Sequence, residues 1–125
     1  VLRCVGGLEI AAMAGAYLEA HKLHIVAVVD GFISAVAALC AVRMEPACRE
    51  SMLFATALAE EPLAGRGGEV LEEALGATPA LHMKLRLGEG SGGALALPLV
   101  RAAAAMVSEM GTLDEAMALM PPPPS

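Results

Sequence analysis

A glutamate surrounded by glycines is the strongest candidate for chemistry in this sequence. Glu89 stands in the stretch Gly88-Glu89-Gly90-Ser91-Gly92-Gly93, directly before a long apolar segment. Glycine lets the backbone adopt positive φ angles and lets a ligand approach the main chain. The apolar segment is predicted to be a helix, whose first N–H groups and positive dipole end favour an anion. Glu89 is therefore a candidate general base, and the alternative is a solvated residue of a connecting turn.

A second carboxylate follows a predicted buried strand. His24 is followed by a continuous apolar run over residues 25–29, and the stretch 24–29 is typical of a strand that is buried on both faces of a parallel sheet. Asp30 and Gly31 come next, and ligands of open α/β sheets bind beyond the carboxyl ends of the strands. Asp30 is therefore a candidate binding residue. The alternative is an N-cap of the helix predicted over residues 32–43.

Strands and helices alternate along the chain, which predicts an α/β fold. Strands are predicted over 24–29 and 51–56, with helices over 8–21, 32–43, 69–75 and 94–110, a helical turn at 46–50 and a loop at 59–68. Ala12, Gly15 and Ala16 give the first helix a small-residue face for close packing.

The long helix over 94–110 is predicted to be mostly buried, bent at Pro98 and closed by Gly111. Gly76 is predicted to end the helix before it. A capping box that begins at Thr112 predicts a last short helix, and residues 121–125 form a proline-rich tail.

Composition narrows the class of protein. The chain has 125 residues, which suits one domain, and 57% are hydrophobic, so we expect a partner to cover some apolar surface. The net charge of −6 and the lack of a basic stripe argue against nucleic acid as a partner. Three cysteines without CxxC spacing predict neither disulfides nor a zinc site and favour the cytoplasm. The apolar runs at 25–29 and 94–107 are too short for a bilayer, so no membrane partner is expected.

Three stretches resemble the C-terminal part of the nicotinate-nucleotide:dimethylbenzimidazole phosphoribosyltransferase family. They are Val5-Gly6-Gly7-Leu8-Glu9-Ile10-Ala11-Ala12-Met13-Ala14-Gly15, Val28-Val29-Asp30-Gly31-Phe32-Ile33-Ser34 and Leu81-His82-Met83-Lys84-Leu85-Arg86-Leu87-Gly88-Glu89-Gly90-Ser91-Gly92. The resemblance covers residues 1–111, the C-terminal portion of the family's α/β domain. It leaves 112–125 as a short helix and tail.

The resemblance implies a fold and a reaction. The fold is α/β, with a Rossmann-like parallel sheet flanked by helices, and family members form homodimers. They move the phosphoribosyl group of nicotinate mononucleotide to 5,6-dimethylbenzimidazole, giving nicotinate and α-ribazole 5′-phosphate in the assembly of the lower ligand of cobalamin. The reaction needs no metal and no cofactor.

The resemblance also assigns roles to residues. Glu89 would be the general base, Asp30 and Gly31 would lie near the nucleotide, and Leu87 would touch the benzimidazole ring. The other substrate-binding residues of the motif would be Gly88, Gly90 and Ser91, although Ser91 is also a candidate helix cap. A benzimidazole nitrogen must lose its proton as the other nitrogen attacks the anomeric carbon. A carboxylate in a partly dry loop suits that task, because burial raises its pKa.

Departures from the family pattern leave an alternative. Residues 55–60 keep only the final Ala-Glu of the family's Ser-Ala-Glu, and a short insertion lies around residues 63–68. The family's glycine-rich phosphate loop and most of its benzimidazole pocket lie outside the matching stretch. The alternative is a catalytically inactive, truncated homologue that acts as a dimerisation or nucleotide-binding module through its alanine-rich helices. A third hypothesis is a chain without independent stability.

Overall fold

Two short parallel strands and a set of helices make up the structure, a computed structural model that describes residues 6–60, 65–85 and 87–119. The elements in chain order are α1 (Leu8–Lys22), β1 (Ala27–Val29), α2 (Phe32–Met44), a 3-10 helix (Pro46–Ser51), β2 (Met52–Phe54), a second 3-10 helix (Leu58–Glu60), α3 (Arg66–Leu75), α4 (Ser91–Glu109) and α5 (Leu113–Ala118). Arg86, the tail at 121–125 and part of the predicted loop and insertion lie outside the described residues.

The sheet is parallel, as expected. β1 and β2 pair with Val28 opposite Leu53. Beyond β2, Thr56 forms a parallel bridge with Leu81, whose N–H donates to the Ala55 carbonyl at 2.9 Å. The prediction of an α/β fold with parallel strands is confirmed.

Both strands are shorter than predicted. His24 has a φ of 55°, a left-handed conformation that no strand tolerates. Ile25 and Val26 are 54% and 53% exposed, so the prediction of a strand buried from residue 24 onwards is wrong for its first three residues. Ser51 ends the first 3-10 helix instead of starting β2.

Alanine side chains make up the buried residues of α2, which packs against α1. Ala35, Ala38 and Ala41 of α2 are fully buried against the core, which also contains Tyr17 and Phe54. Small side chains let the two helices approach closely. The packed side of α1 carries Ala14 and Tyr17, however, and the predicted small-residue face of this helix is exposed among the described residues.

Arg49 fastens the end of α3 to the sheet. Its guanidinium donates from Nε to the Leu75 carbonyl at 2.5 Å and from a terminal nitrogen to the Gly76 carbonyl at 2.7 Å. The same group lies over the Phe54 ring, 4.9 Å from its centroid. Gly76 ends α3 in the left-handed conformation, as predicted, with a φ of 54°. The helix begins at Arg66, three residues before the predicted start.

The long helix α4 is mostly exposed. It begins at Ser91, passes through Pro98 and ends at Glu109, and its buried residues are Gly92 and Ala96. The prediction of a mostly buried helix is therefore wrong for the described part of the chain, since the contacts of α4 with the sheet are made near its start. Gly111 does not close it, because Met110 is already extended. The capping box at Thr112 is confirmed: its hydroxyl accepts from the N–H of Glu115 at 3.3 Å.

The length of α4 also removes the sequence argument that this apolar segment is too short to cross a bilayer. A helix of 19 residues with this apolar composition is long enough to cross a bilayer. The core helices of soluble proteins meet the same criterion, so length and composition do not decide between a membrane span and such a core helix.

Candidate functional site

An open cleft of about 670 Å³ lies at the carboxyl end of β1. Three parts of the chain form it: the first turns of α1, the connection from β1 into α2, and the glycine loop before α4. The lining residues are Glu9, Met13, Asp30, Gly31, Phe32, Ile33, Ser34, Gly88, Glu89 and Gly90. The structure thus brings together five of the predicted site residues from positions distant in sequence.

A smaller cavity of about 40 Å³ adjoins this cleft. Asp30, Gly31 and Gly88 line both spaces, and the carboxyl side of β2 adds Thr56. The remaining lining residues of the small cavity are Ala57, Lys84 and Leu85. Both spaces therefore meet at Asp30, where a ligand of an open parallel sheet is expected.

The glycine loop has an unusual backbone. Gly88, Glu89 and Gly90 have φ angles of 68°, 54° and 78°, so three successive residues are left-handed. The N–H of Ser91 closes the turn by donating to the Gly88 carbonyl at 3.0 Å. A left-handed conformation costs a non-glycine residue about 1–2 kcal/mol. Glu89 is held in it by the turn and by the helix that follows.

Asp30 caps the start of α4. Its Oδ1 atom accepts a hydrogen bond from the N–H of Gly93, in the first turn of that helix, at 2.6 Å. The N-cap of α2 is instead Gly31, whose N–H donates to Ser34 Oγ at 2.9 Å. The sequence alternative that made Asp30 the cap of α2 is therefore wrong. A carboxylate at a helix N-terminus also interacts favourably with the helix dipole.

Thr56 supports Asp30 from the neighbouring strand. Its hydroxyl donates to the Asp30 backbone carbonyl at 2.6 Å. A Cβ atom at Gly92 would lie 2.5 Å from Thr56 Cγ2 and 2.8 Å from Asp30 Oδ1. Only glycine therefore fits where the first turn of α4 meets the two strand ends.

A buried tyrosine lies behind the cleft. Burial raises the pKa of the Tyr17 hydroxyl, and the nearby Asp30 carboxylate raises it further, while a hydrogen bond with the Ser34 side chain acts in the opposite direction. Ser34 itself donates to the Gly31 carbonyl at 2.8 Å. The Tyr17 hydroxyl is therefore part of a hydrogen-bonded wall beside Asp30, and its burial favours the neutral form.

Three predictions for the loop need correction or remain open. Ser91 is the first residue of α4 and Gly90 is its N-cap, without a side-chain cap, so the alternative of Ser91 as a cap is wrong. Leu87 is 75% exposed and lies outside the lining of the cleft, and its contact with a ring stays a prediction. The Glu89 side chain is exposed, so the described residues do not supply the burial expected around the base.

Sequence reasoning missed Glu9, Thr56 and Ser34. A signal existed for the first two. A short connection joins the end of α1 to β1, so α1 runs antiparallel to the strand. Its first turn, with Glu9, therefore lies at the carboxyl end of β1. Thr56 follows a strand parallel to β1 and must lie beside Asp30. In the described ranges, no group of three or more His, Cys, Asp or Glu side chains is placed to hold a metal ion.

Comparison with known proteins decides the family. A family model described as phosphoribosyltransferase matches residues 1–118. The chain belongs to this phosphoribosyltransferase family. A nicotinate-nucleotide–dimethylbenzimidazole phosphoribosyltransferase of Pseudomonas aeruginosa (strain UCBPP-PA14) is 56% identical over 115 residues, which are 92% of this chain and 31% of the relative. The protein of that name from Azotobacter vinelandii is 53% identical over 116 residues, 93% of this chain and 32% of the relative.

Solved structures of the family agree with the fold. The crystal structure of CobT from Thermus thermophilus matches with a TM-score of 0.79 and 42% identity, over 90% of this chain and 32% of that one. The α/β architecture described above thus matches about a third of that structure. The chain spans about a third of the length of the curated relatives that it matches.

Proposed function

We propose that this chain contributes the general-base side of a phosphoribosyltransferase active site. The observation that supports this best is that Glu89 and Asp30 line one cleft at the carboxyl end of β1, in a member of this family. The proposed substrates are nicotinate mononucleotide and 5,6-dimethylbenzimidazole, and the names of the relatives, which mention nicotinate nucleotide and dimethylbenzimidazole, support this proposal.

The proposed reaction is a single displacement at the anomeric carbon. One nitrogen of dimethylbenzimidazole attacks C1′ of the nucleotide, and the bond from C1′ to the nicotinate nitrogen breaks with its electron pair leaving on nicotinate. The proton on the other benzimidazole nitrogen passes to the Glu89 carboxylate. Glu89 lies in the left-handed turn and lines the same cleft as Asp30 and Gly31, which supports this role. General-base catalysis of this kind accelerates a reaction by about 10²–10⁴-fold.

The surroundings that complete the site come from the rest of the family fold. We propose that residues 1–111 are the C-terminal portion of a Rossmann-like domain, that 112–125 are an appended helix and tail, and that further strands extend the sheet. Desolvation of Glu89, which is exposed here, requires chain from that remainder or from a second subunit. A homodimer would also cover part of the apolar surface of α4.

One observation favours a second candidate function. Helix α4 exposes most of its apolar side chains among the described residues. A module that binds the nucleotide or a second copy without turnover fits this observation. Calorimetry with each substrate separates the candidates, because binding without any product supports the module.

The decisive experiment replaces Glu89 by glutamine. The assay follows α-ribazole 5′-phosphate by chromatography, with the 125-residue chain and with a chimera in which residues 1–118 replace the matched region of the Pseudomonas aeruginosa relative. We expect Glu89→Gln to lower kcat in the chimera about 10²–10⁴-fold. Glu109→Gln, at the exposed far end of α4, is the matched control and should keep the parent rate. A Glu89→Gln chimera with the parent rate refutes the general-base role.

A further inference from the structure

We propose that Asp30 is a positioning residue: its carboxylate holds the first turn of α4 and thereby sets the place of the Glu89 carboxylate. This inference rests on the proposed function, because it concerns the same base. It differs from the role that the family resemblance implies for Asp30, which is contact with the nucleotide. The two roles predict different kinetics.

Glu89 depends on its backbone for its position. Among the described residues, its side chain has no hydrogen bond and no ion pair, and it is exposed. The main chain around it is a left-handed turn, closed by the hydrogen bond from Ser91 to Gly88. Such a turn fixes the direction of the Cα–Cβ bond of Glu89 relative to α4, but it does not fix α4 relative to the cleft.

The hydrogen bond from Gly93 to Asp30 supplies that second constraint. Gly93 lies in the first turn of α4, and its N–H meets Asp30 Oδ1 at 2.6 Å, across from the end of β1. Helical geometry is rigid over one turn, so a fixed Gly93 also fixes the preceding loop. The N–H of Ala94 continues this chain of contacts by donating to the Gly90 carbonyl at 2.9 Å.

Asp30 is itself held from two sides. Thr56 donates to its backbone carbonyl at 2.6 Å. The next residue, Gly31, is the N-cap of α2, and its N–H donates to Ser34 Oγ. Gly92 packs against both Thr56 and Asp30 without room for a side chain. The ends of the two strands thus form a fixed support. The Asp30 carboxylate makes the polar contact from this support to α4, the helix that follows the glycine loop.

The first arm of the test measures the hydrogen bond from Gly93 to Asp30 in the 125-residue chain. Amide hydrogen exchange of Gly93 is compared in Asp30→Ala, Asp30→Asn and Asp114→Ala, an exposed aspartate that serves as the matched control. We expect exchange at Gly93 to become severalfold faster in Asp30→Ala, because its N–H loses its acceptor. Asp30→Asn keeps an oxygen acceptor and should preserve most of the protection. Unchanged exchange in Asp30→Ala overturns the proposal.

A second variant keeps the test informative if Asp30→Ala does not fold. Thr56→Val retains a γ-methyl group against Gly92 but removes the hydroxyl that supports Asp30. We expect a smaller increase of exchange at Gly93 in this variant. Exchange at Gly93 identical to that of the parent would show that the Thr56 hydroxyl does not hold Asp30 in place.

The second arm measures kinetics in the chimera. A displacement of about 1 Å costs a catalytic group up to about 10²-fold in rate. We therefore expect Asp30→Ala to lower kcat by about ten- to a hundredfold with little change in KM for nicotinate mononucleotide, and Asp30→Asn to recover most of the loss. A raised KM with an unchanged kcat would overturn positioning in favour of substrate contact. Failure of the proposed function is a separate outcome, seen as turnover that survives Glu89→Gln while the exchange results at Gly93 stand.

Discussion

The backbone nitrogen of Gly93 donates a hydrogen bond to Asp30 Oδ1 at 2.6 Å, across a sequence separation of sixty-three residues. This contact joins the end of β1 to the start of α4, and the candidate base lies in the turn just before that helix. The cleft at the carboxyl end of β1 is therefore formed by segments that are distant in sequence.

Gly92 should tolerate no side chain. In Gly92→Ala the new methyl group would meet Thr56 and the Asp30 carboxylate, so the start of α4 must move. We expect a loss of about 1–3 kcal/mol in the free energy of unfolding. Gly15→Ala is the matched control, because nothing lies within 4 Å of that site in α1 and alanine favours the helix by about 1 kcal/mol. Urea denaturation checks both, and equal effects with the same sign would contradict the packing described.

Arg49 should not be replaceable by lysine. Lysine lacks the planar group that reaches the Leu75 and Gly76 carbonyls at the end of α3 and covers the Phe54 ring. We expect Arg49→Lys to lower the free energy of unfolding by about 1–2 kcal/mol. Arg43→Lys, an exposed change in the last turn of α2, should leave stability within about 0.5 kcal/mol. Thermal denaturation by circular dichroism measures both, and a neutral Arg49→Lys would show that these contacts contribute nothing.

Tyr17 should make the fold sensitive to alkali. Burial, together with the Asp30 charge, raises its pKa in the folded chain above the value of about 10 for a free tyrosine. The neutral side chain therefore contributes stability that is complete below about pH 10 and is lost as the pH rises through the folded pKa. The chain has one tyrosine, so tyrosinate absorbance reports this group alone.

The matched variant for this titration is Tyr17→Phe, which should lose stability at neutral pH through the missing bond to Ser34, yet decline less above pH 10. A parent chain whose tyrosine ionises at the free value while still folded would contradict the burial of the hydroxyl.

Replacement of Glu89 by glycine should separate stability from function. Glycine adopts a φ of 54° without strain, whereas glutamate is strained by about 1–2 kcal/mol. The larger entropy of unfolded glycine offsets about 0.4–1 kcal/mol of that gain. We expect Glu89→Gly to be as stable as the parent or about 1 kcal/mol more stable in urea, while turnover is lost in the chimera. A clear loss of stability would show that the carboxylate supports the fold.

Local signals in the sequence predicted much of this structure. The apolar runs indicated parallel strands, Gly76 indicated the end of α3, and Thr112 indicated the cap of α5. The convergence of Asp30 and Glu89 followed from the rule that ligands bind beyond strand ends, together with the family motifs. Each of these features depends either on a few residues that are close in sequence or on a general rule of topology.

Other features had no local signal. The cap that Asp30 provides for α4 depends on the approach of Gly93 from the far end of the chain, and the sequence around Asp30 equally permitted a cap for α2. The apolar composition of α4 indicates a helix that needs burial, but it does not tell which segment or subunit supplies the burial. The left-handed turn at His24, which shortens β1, is uncommon for histidine and was not foreseeable from its neighbours.

The parallel pairing of β1 and β2 has a consequence for the order of folding. A tight turn cannot join parallel strands, so α2 and the 3-10 helix after it must return the chain before the strands meet. The contact between Asp30 and Gly93 spans still more of the chain, and contacts between residues distant in sequence form slowly. In refolding monitored by pulsed hydrogen exchange, protection should therefore reach the amides within α1 and α2 first and the Gly93 amide last. A competent arrangement of the two carboxylates would then be a kinetic marker that the whole chain has folded.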